Sequence, residues 1–517
     1  MNSLRLRLIA FVLFSLLLPP ALFSQAGVAS LSGLVTDPSG AVIPGAPVTE
    51  TNMDTQVSHT TVTDRSGYYA FVGLPVGRYR VAIIQTGFQT QETHLTLDPS
   101  EQARQDFHLA VQGATTRIDI TEASPQLSRD DASIGTVIDN PTIVGTPLYQ
   151  RNWDDLIRLA PGVQAQRFTQ QSGSSVSGST GLFVVHGVGN EQNDYILDGI
   201  DNNTFSENLQ ELSASASRPS VDVISEFKLI SSAYTAIYGR SPGAQVDVTT
   251  KGGTNNIHGL LFEYLRNRVF DSNDYFTHQA GLSKPEEIQN QFGGNLGGPI
   301  LRDRLFAFFN YEGTRIRQGV TRISTVPLPN ERIGDYSPAT AAAVGVKYPT
   351  LRNPATGLPF PNNTVPQSMW DPFGSKILNA FPLPNQPGDF NNYARTASVI
   401  DDNDSYNGRI DWNASSKDVV FARYTTSNRT RDVPGDFGGI ADGSSTSSWG
   451  NSTLKSWAVA LGWNHIFGPS LTNDFRFGFV RNFSYDQQQP FGLNQPSEFI
   501  PGVPSNPATN GGIGITE

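Results

Sequence analysis

Several residue groupings in this chain could in principle carry chemistry. Gly239-Arg240-Ser241-Pro242-Gly243 matches the Gly-x-Ser-x-Gly pattern of a serine nucleophile raised on a tight strand-to-helix turn. That turn needs a helix behind it. Pro242 and the β-rich run Val246-Asp247-Val248-Thr249-Thr250 stand there instead, so the motif reads as a chain reversal. The histidines are His59, His94, His108, His186, His258, His278 and His465, and none begins His-x-x-Glu or His-Glu-x-x-His, the spacings that hold a catalytic zinc. Two oxygen-rich runs, Asp401-Asp402-Asn403-Asp404 and Asp198 to Asn203, lack the order of a calcium loop and read as solvated loop or turn. Cysteine is absent, which excludes disulfides, thiolate metal sites and thiol catalysis. No phosphate-cradling Gly-x-x-x-x-Gly-Lys-Ser/Thr occurs. No catalytic residue, metal ligand or cofactor is therefore assigned, and the chain is not read as an enzyme.

The elements around these groups are β-rich. The 517 residues carry 49 Gly, 34 Pro and 10% aromatics, with only 16% charged. This is too aromatic for disorder, too glycine-rich for a helical bundle and too long for a single core. The net charge of −11, with no basic run, argues against nucleic acid as a partner. Residues 1–26 read as a secretory signal. Arg5 and Arg7 precede the apolar run Leu8 to Leu18, Pro19-Pro20 breaks it, and cleavage falls after Ala26.

Residues 27–112 show short strands separated by turns such as Asp37-Pro38-Ser39-Gly40 and Asp64-Arg65-Ser66-Gly67. Tyr69 and Phe71 share one face of a strand; Tyr68, Ala70 and Val72 share the other. The runs Gly33-Leu34-Val35-Thr36-Asp37, Ile43-Pro44-Gly45-Ala46-Pro47-Val48 and Leu74-Pro75-Val76-Gly77 resemble the carboxypeptidase regulatory-like domain. The resemblance implies a transthyretin-like β-sandwich, of the class of carbohydrate-binding-like folds.

Residues 113–257 alternate short strands with a small helix over Trp153 to Leu159, where Leu156 and Leu159 form the apolar face and Pro161-Gly162 the stop. Gln164 to Gly181 reads as a polar loop. Tyr195-Ile196-Leu197-Asp198-Gly199-Ile200-Asp201, Tyr238-Gly239-Arg240-Ser241 and Gln245 to Asn255 resemble the plug domain of TonB-dependent outer-membrane receptors, in the Oar-like form that also carries the N-terminal sandwich. By that resemblance Asp198, Gly199, Asp201, Tyr238, Gly239 and Arg240 are the plug's motif residues. His186 stands where the family pattern has Arg or Asn.

Residues 258–517 read as the first part of a transmembrane antiparallel β-barrel, with about seven candidate strands. Leu305, Ala307, Phe309 and Tyr311 share a face opposite Asn310 and Glu312. Ile410 and Trp412 oppose Arg409 and Asp411. Trp457, Val459, Leu461 and Trp463 line one face, and Phe475, Phe477 and Phe479 another. Val326 to Pro387 holds 12 of the 34 prolines, so it reads as a long extracellular loop with one short helix near Asp371 to Ala380. Arg431 to Asn451 reads as a second such loop. Plugged barrels close at about 22 strands, so this sheet does not close by itself, and the chain resembles part of a longer receptor.

The resemblance implies a receptor in the cell outer membrane, with sandwich and plug on the periplasmic side. Its expected partners are outer-membrane lipid, an extracellular ligand such as a polysaccharide or peptide, and an inner-membrane TonB-type energy transducer. The energy-coupling box is placed at Ile118-Asp119-Ile120-Thr121, a short extended stretch between two folded units. Two other readings remain open: an outer-membrane adhesin or morphogenesis protein without transport, and a secreted carbohydrate-binding protein.

Overall fold

The computed structural model describes residues 29–111, 133–148, 151–165, 183–189, 192–203, 215–234, 238, 241–273, 275, 278, 284–438, 441, 450–468 and 471–487. The signal segment with Ala26, the stretch Ile118-Asp119-Ile120-Thr121 and the pair Gly239-Arg240 lie outside the described residues.

The first unit is a sandwich of eight strands. They are β1 (Ala29–Thr36), β2 (Pro47–Asn52), β3 (Ser58–Val62), β4 (Tyr68–Leu74), β5 (Gly77–Ile83), β6 (Gln91–Leu97), β7 (Gln102–Arg104) and β8 (Phe107–His108). One sheet runs β4-β1-β7, with β8 also on β1; the other runs β3-β2-β5-β6. Period-two alternation sends Tyr69, Phe71, Tyr79, Val81, Leu95 and Leu97 between the sheets, while Tyr68 and Val72 face outward. Asp64 shapes the β3–β4 turn, its Oδ1 accepting from the N–H groups of Ser66 (2.8 Å) and Tyr68 (3.0 Å).

The middle unit contains β9 (Ile134–Asp139), helix α1 (Asn140–Gly145), the short pair β10 (Val163–Ala165) and β11 (Phe183–Val185), β12 (Asp194–Leu197), β13 (Ile200–Asp201), β14 (Ile224–Ser232) and β15 (Gln245–Thr250). Its five-stranded sheet has the order β13-β12-β15-β14-β9. Asp139 caps α1 by accepting the Thr142 N–H at 3.1 Å. A 3₁₀ turn, Trp153–Leu159, packs Trp153 against Phe227 with ring centroids 5.3 Å apart. Leu156 and Ile157 enter this core, but Leu159 does not: it is 62% exposed. The chain reverses at the Ala160–Gly162 turn, where Gly162 takes φ +80°, and this swings Leu159 to the surface. Gln164, expected in a loop, belongs to β10, paired with Val184.

The third unit is a single antiparallel sheet of consecutive strands: β16 (His258–Asn267), β17 (Glu287–Leu301), β18 (Leu305–Ser324), β19 (Tyr393–Ser415), β20 (Asp418–Val433), β21 (Gly450–Gly468) and β22 (Leu471–Gln487). Short turns close β17–β18 and β19–β20 at one end, and the connections 325–392 and 434–449 leave the other. Directly opposed residues share a face. One outward row reads Leu305, Trp412, Val420, Trp463, Phe475; a later one reads Tyr311, Tyr406, Thr426, Trp457, Arg481. Between them the outward face is apolar, with Phe309, Ile410, Leu461, Phe477 and Phe479 all exposed. The span from Trp412 to Tyr406 is about 20 Å of strand, or about 15 Å of height at the usual tilt, and forms the middle of the apolar band of about 25 Å that an outer-membrane wall carries. The inner face carries Asn310, Glu312, Asn407, Arg423 and Thr425, all buried.

Two loop expectations change. The run Asp401-Asp402-Asn403-Asp404 is neither loop nor turn but lies within β19. Its charges are met strand to strand. Arg315 and Arg317 bond Asp404 and Asp402 on the outward side, at 2.8 and 2.6 Å, and Arg429 bonds Asp401 on the inner side at 2.7 Å. The proline-rich connection holds more than one helix: α2 (Pro338–Val344), α3 (Pro372–Ala380) and three 3₁₀ turns. Arg332 ties it together by donating to the carbonyls of Phe381 (2.7 Å) and Pro382.

Candidate functional site

The middle unit meets the wall at the β12–β13 turn. Leu197 pairs with Ile200, so Asp198 and Gly199 form a two-residue hairpin turn, with φ +51° and +77°. Both central residues of such a turn need positive φ, which Asp tolerates and Gly adopts freely. The turn aims the Asp198 carboxylate at the wall, where it is buried.

On the wall, Arg409 of β19 and Arg423 of β20 are direct cross-strand partners on the inner face. Two like charges so placed repel each other unless an anion enters from elsewhere. Asp198 is that anion. Arg409 Nη1 donates to its Oδ1 at 3.0 Å, and Arg423 Nε lies 2.7 Å from Oδ2 as an ion pair without hydrogen-bond alignment. The Thr250 N–H (2.9 Å) and hydroxyl (2.8 Å) complete the carboxylate's shell from within the middle unit. Arg476 of β22 donates to the Asp198 carbonyl at 2.9 Å. Arg409 and Arg476 sit over the Phe421 ring at 5.1 and 5.0 Å, and Asp411 and Asp474 hold their remaining charge. Burial alone would raise the Asp198 pKa; Arg409 and Arg423 outweigh it and hold the carboxyl below the usual range. Beside this latch, Ile200 occupies the space that a side chain at Gly478 would take, since a Cβ there would lie 2.1 Å from Ile200 Cγ2.

A second contact is built on Arg151. Its guanidinium lies over the rings of Phe262 (4.6 Å) and Tyr264 (4.5 Å) of β16. It pairs with Asp222 at 2.5 Å within the middle unit and approaches Glu312 of β18 at 3.7 Å.

The other motif residues take different places. Asp201 shapes its own turn, accepting from the Asn203 N–H at 3.0 Å, and Tyr238 packs edge-on to Tyr234 at 6.4 Å. Neither joins the latch. Asp198 is not the solvated turn residue its acidic surroundings imply, because three wall arginines surround it. Ser241, the would-be nucleophile, donates to the Gln192 carbonyl, and no described histidine bonds it. Sequence reading missed Arg409, Arg423, Arg476 and Arg151 as site residues. The available signal was basic residues at inward positions of strands whose outward positions are aromatic.

The model for an outer membrane beta barrel domain matches residues 249–516, just over half of the chain. The protein belongs to the outer membrane β-barrel family. Two further models match: a TonB-dependent receptor plug domain over 129–245 and a carboxypeptidase regulatory-like domain over 30–110. This barrel protein is 26% identical over 288 residues to the TonB-dependent transporter Oar of Myxococcus xanthus, covering 53% of this chain and 25% of that protein. Among solved structures it is similar to the outer membrane transporter YddB from Escherichia coli (TM-score 0.41, 15% identity, 67% of this chain and 38% of that one). It is also similar to a mutant ferric enterobactin receptor of Pseudomonas aeruginosa (TM-score 0.39, 14% identity, 74% and 45%). The chain spans about a quarter of the length of the curated relative and less than half of each solved structure. The barrel lies in the outer membrane with the plug on the periplasmic side, and the short turns, the usual periplasmic connections of such walls, mark that end of the sheet.

Proposed function

We propose that the protein works as a TonB-dependent outer-membrane receptor, taking up an extracellular ligand by energy-coupled movement of its plug. The observation that carries this reading is the Asp198 latch. Opposed Arg409 and Arg423 make the wall complementary to one carboxylate on the plug, so the plug has a defined seat from which it can be moved. Such a seat is specific without being permanent: a buried ion pair costs its desolvation, and its net contribution to stability is small. Among the described residues, the edge of the plug sheet nearest the N-terminus is β9, paired on one side only, with β14. Force arriving from the N-terminal side loads this strand first, while the latch on β12, β13 and β15 holds.

The energy-coupling box in this reading is Ile118-Asp119-Ile120-Thr121, and the partner is the periplasmic domain of a TonB-type transducer. An added strand binds through backbone hydrogen bonds, which proline deletes. The test titrates that purified domain against full-length protein in detergent. Ile120→Pro is expected to weaken binding at least tenfold while leaving the seated plug unchanged by hydrogen exchange. Equal affinity of the two proteins would remove the box from this position. The relative named a TonB-dependent transporter supports the class; polysaccharide, peptide, siderophore and cobalamin all stay open as ligands, and binding to whole cells would decide among them.

A further inference from the structure

The sandwich is joined to the other two units by a small set of polar contacts at the short-turn end of the wall. Asn464 Nδ2 of β21 donates to the Gly73 carbonyl at 2.7 Å. Gly73 has φ +77°, and a Cβ there would lie 2.3 Å from Asn464, so this approach admits only glycine. Asn255, just before β16, donates its backbone N–H to the Asp54 carbonyl (3.2 Å) and its side-chain amide to the Thr55 carbonyl (2.5 Å). The Ser100 hydroxyl donates to Asp247 of the plug.

These contacts surround a cavity of about 470 Å³ lined by all three units, including Glu50 and His59 of the sandwich, Lys251 of the plug strand's exit and Asp411 of the wall. The docked arrangement leaves several buried polar atoms poorly served. Glu50 and His59 bond each other at 2.5 Å, yet Glu50 Oε2 and His59 Nε2 meet no further protein partner. Asn464 Oδ1 and Asp247 Oδ1 are in the same condition. An interface held by a few neutral hydrogen bonds around a polar cavity is cheap to open, as inter-domain contacts often are. The Asp198 latch is different, because it joins buried opposite charges across the contact.

We infer that the sandwich is a reversible cap on the periplasmic mouth of the plugged wall, and that undocking it at the Gly73–Asn464 and Thr55–Asn255 contacts opens the junction cavity to the periplasm. The inference does not need the transport reading; it concerns access to the junction, whatever the ligand outside.

Lys251 serves as the reporter. It lines the cavity, and burial holds its pKa below the ordinary lysine value, which leaves more of the amine free to react. The chain has no cysteine, so a Thr55→Cys/Asn255→Cys pair introduces its only two thiols, on residues in contact across the docked junction. Full-length protein in detergent would be oxidised, treated with an amine-acetylating reagent, and Lys251 acetylation followed by mass spectrometry before and after reduction. The expected result is efficient disulfide formation, with acetylation at least tenfold slower in the oxidised form and restored on reduction. The same molecules serve as their own folding control. Asn464→Ala in the reduced background should raise the rate severalfold. Equal rates in oxidised and reduced protein, or an unchanged rate in Asn464→Ala, would overturn the inference.

Discussion

The plug and the sandwich both lean on the same wall, at neighbouring positions of β19 to β22, and they do so by different physics. At the plug, Asp198 meets Arg409, Arg423, Thr250 and Arg476, and Ile200 fills the space over Gly478. At the sandwich, Asn464 meets the Gly73 carbonyl, Asn255 meets those of Asp54 and Thr55, and a cavity lies beside them. A contact of paired buried charges fixes a position. A contact of a few neutral hydrogen bonds marks a position and lets go of it cheaply.

The largest effect should come from removing the answering charge. Asp198→Ala leaves Arg409 and Arg423 facing each other, a loss of about 3–5 kcal/mol in plug seating, the usual cost of stranding a buried charge. Hydrogen exchange of the β12 and β15 amides would read it. If the latch is a matched pair rather than a set of separate bonds, Asp198→Asn combined with Arg423→Gln should recover much of that loss. Additive losses in the double variant would break the comparison at its stronger side. Gly478→Val comes next: it pushes Ile200 out of its place and should cost about 1–3 kcal/mol by overpacking, seen in the same exchange measurement.

The junction between sandwich and plug should respond to pH. Burial is the main cause that pushes Glu226 up to about 8, with Asp98, Asp139, Glu101 and Asp247 adding to it. Burial likewise pushes Asp247 up to about 6, partly opposed by the Ser100 hydrogen bond and by Lys228. Both folded values lie above the ordinary carboxylate values. The stabilisation is therefore complete below about pH 4 and is lost as pH rises through about 6 and then about 8. Protection of β14 and β15 should fall between pH 5 and pH 8.5, and Asp247→Asn should flatten the lower half of that fall. The smallest effect belongs to the weaker contact: Asn464→Ala should loosen sandwich docking by about 1 kcal/mol, the net value of one hydrogen bond. A loss as large as that of Asp198→Ala would erase the distinction drawn here.

Much of this architecture was legible along the chain because it is local. Alternation put Tyr69 and Phe71 on one face of their strand, which the structure turns to the core, and set Phe475, Phe477 and Phe479 opposite Arg476, since a strand exposes its period in its own residues. The short helix near Asp371 to Ala380 was legible for the same reason. The latch was not, because its charges meet across register: Arg409 lies 211 residues beyond Asp198, and Thr250 lies 52 beyond. The Asp401 to Asp404 run misled for the same cause. Four consecutive oxygen-bearing residues look like a loop until Arg315, Arg317 and Arg429 arrive from neighbouring strands to answer them one face at a time. Leu159 failed on a smaller scale, through a turn that redirects one side chain.

The strands β18 and β19 do not end where the outward face turns from aromatic to charged. They remain paired from Glu312 with Ser405 to Ser324 with Tyr393, about 40 Å of further strand, or about 30 Å of height at the usual tilt. This stretch stands clear of the hydrocarbon as a hydrogen-bonded parapet, braced by Arg315 with Asp404 and Arg317 with Asp402. The proline-rich lobe tied by Arg332 is carried on top of it. Anything approaching the membrane from outside through a coat of surface polymer therefore meets that lobe well before it meets the hydrocarbon.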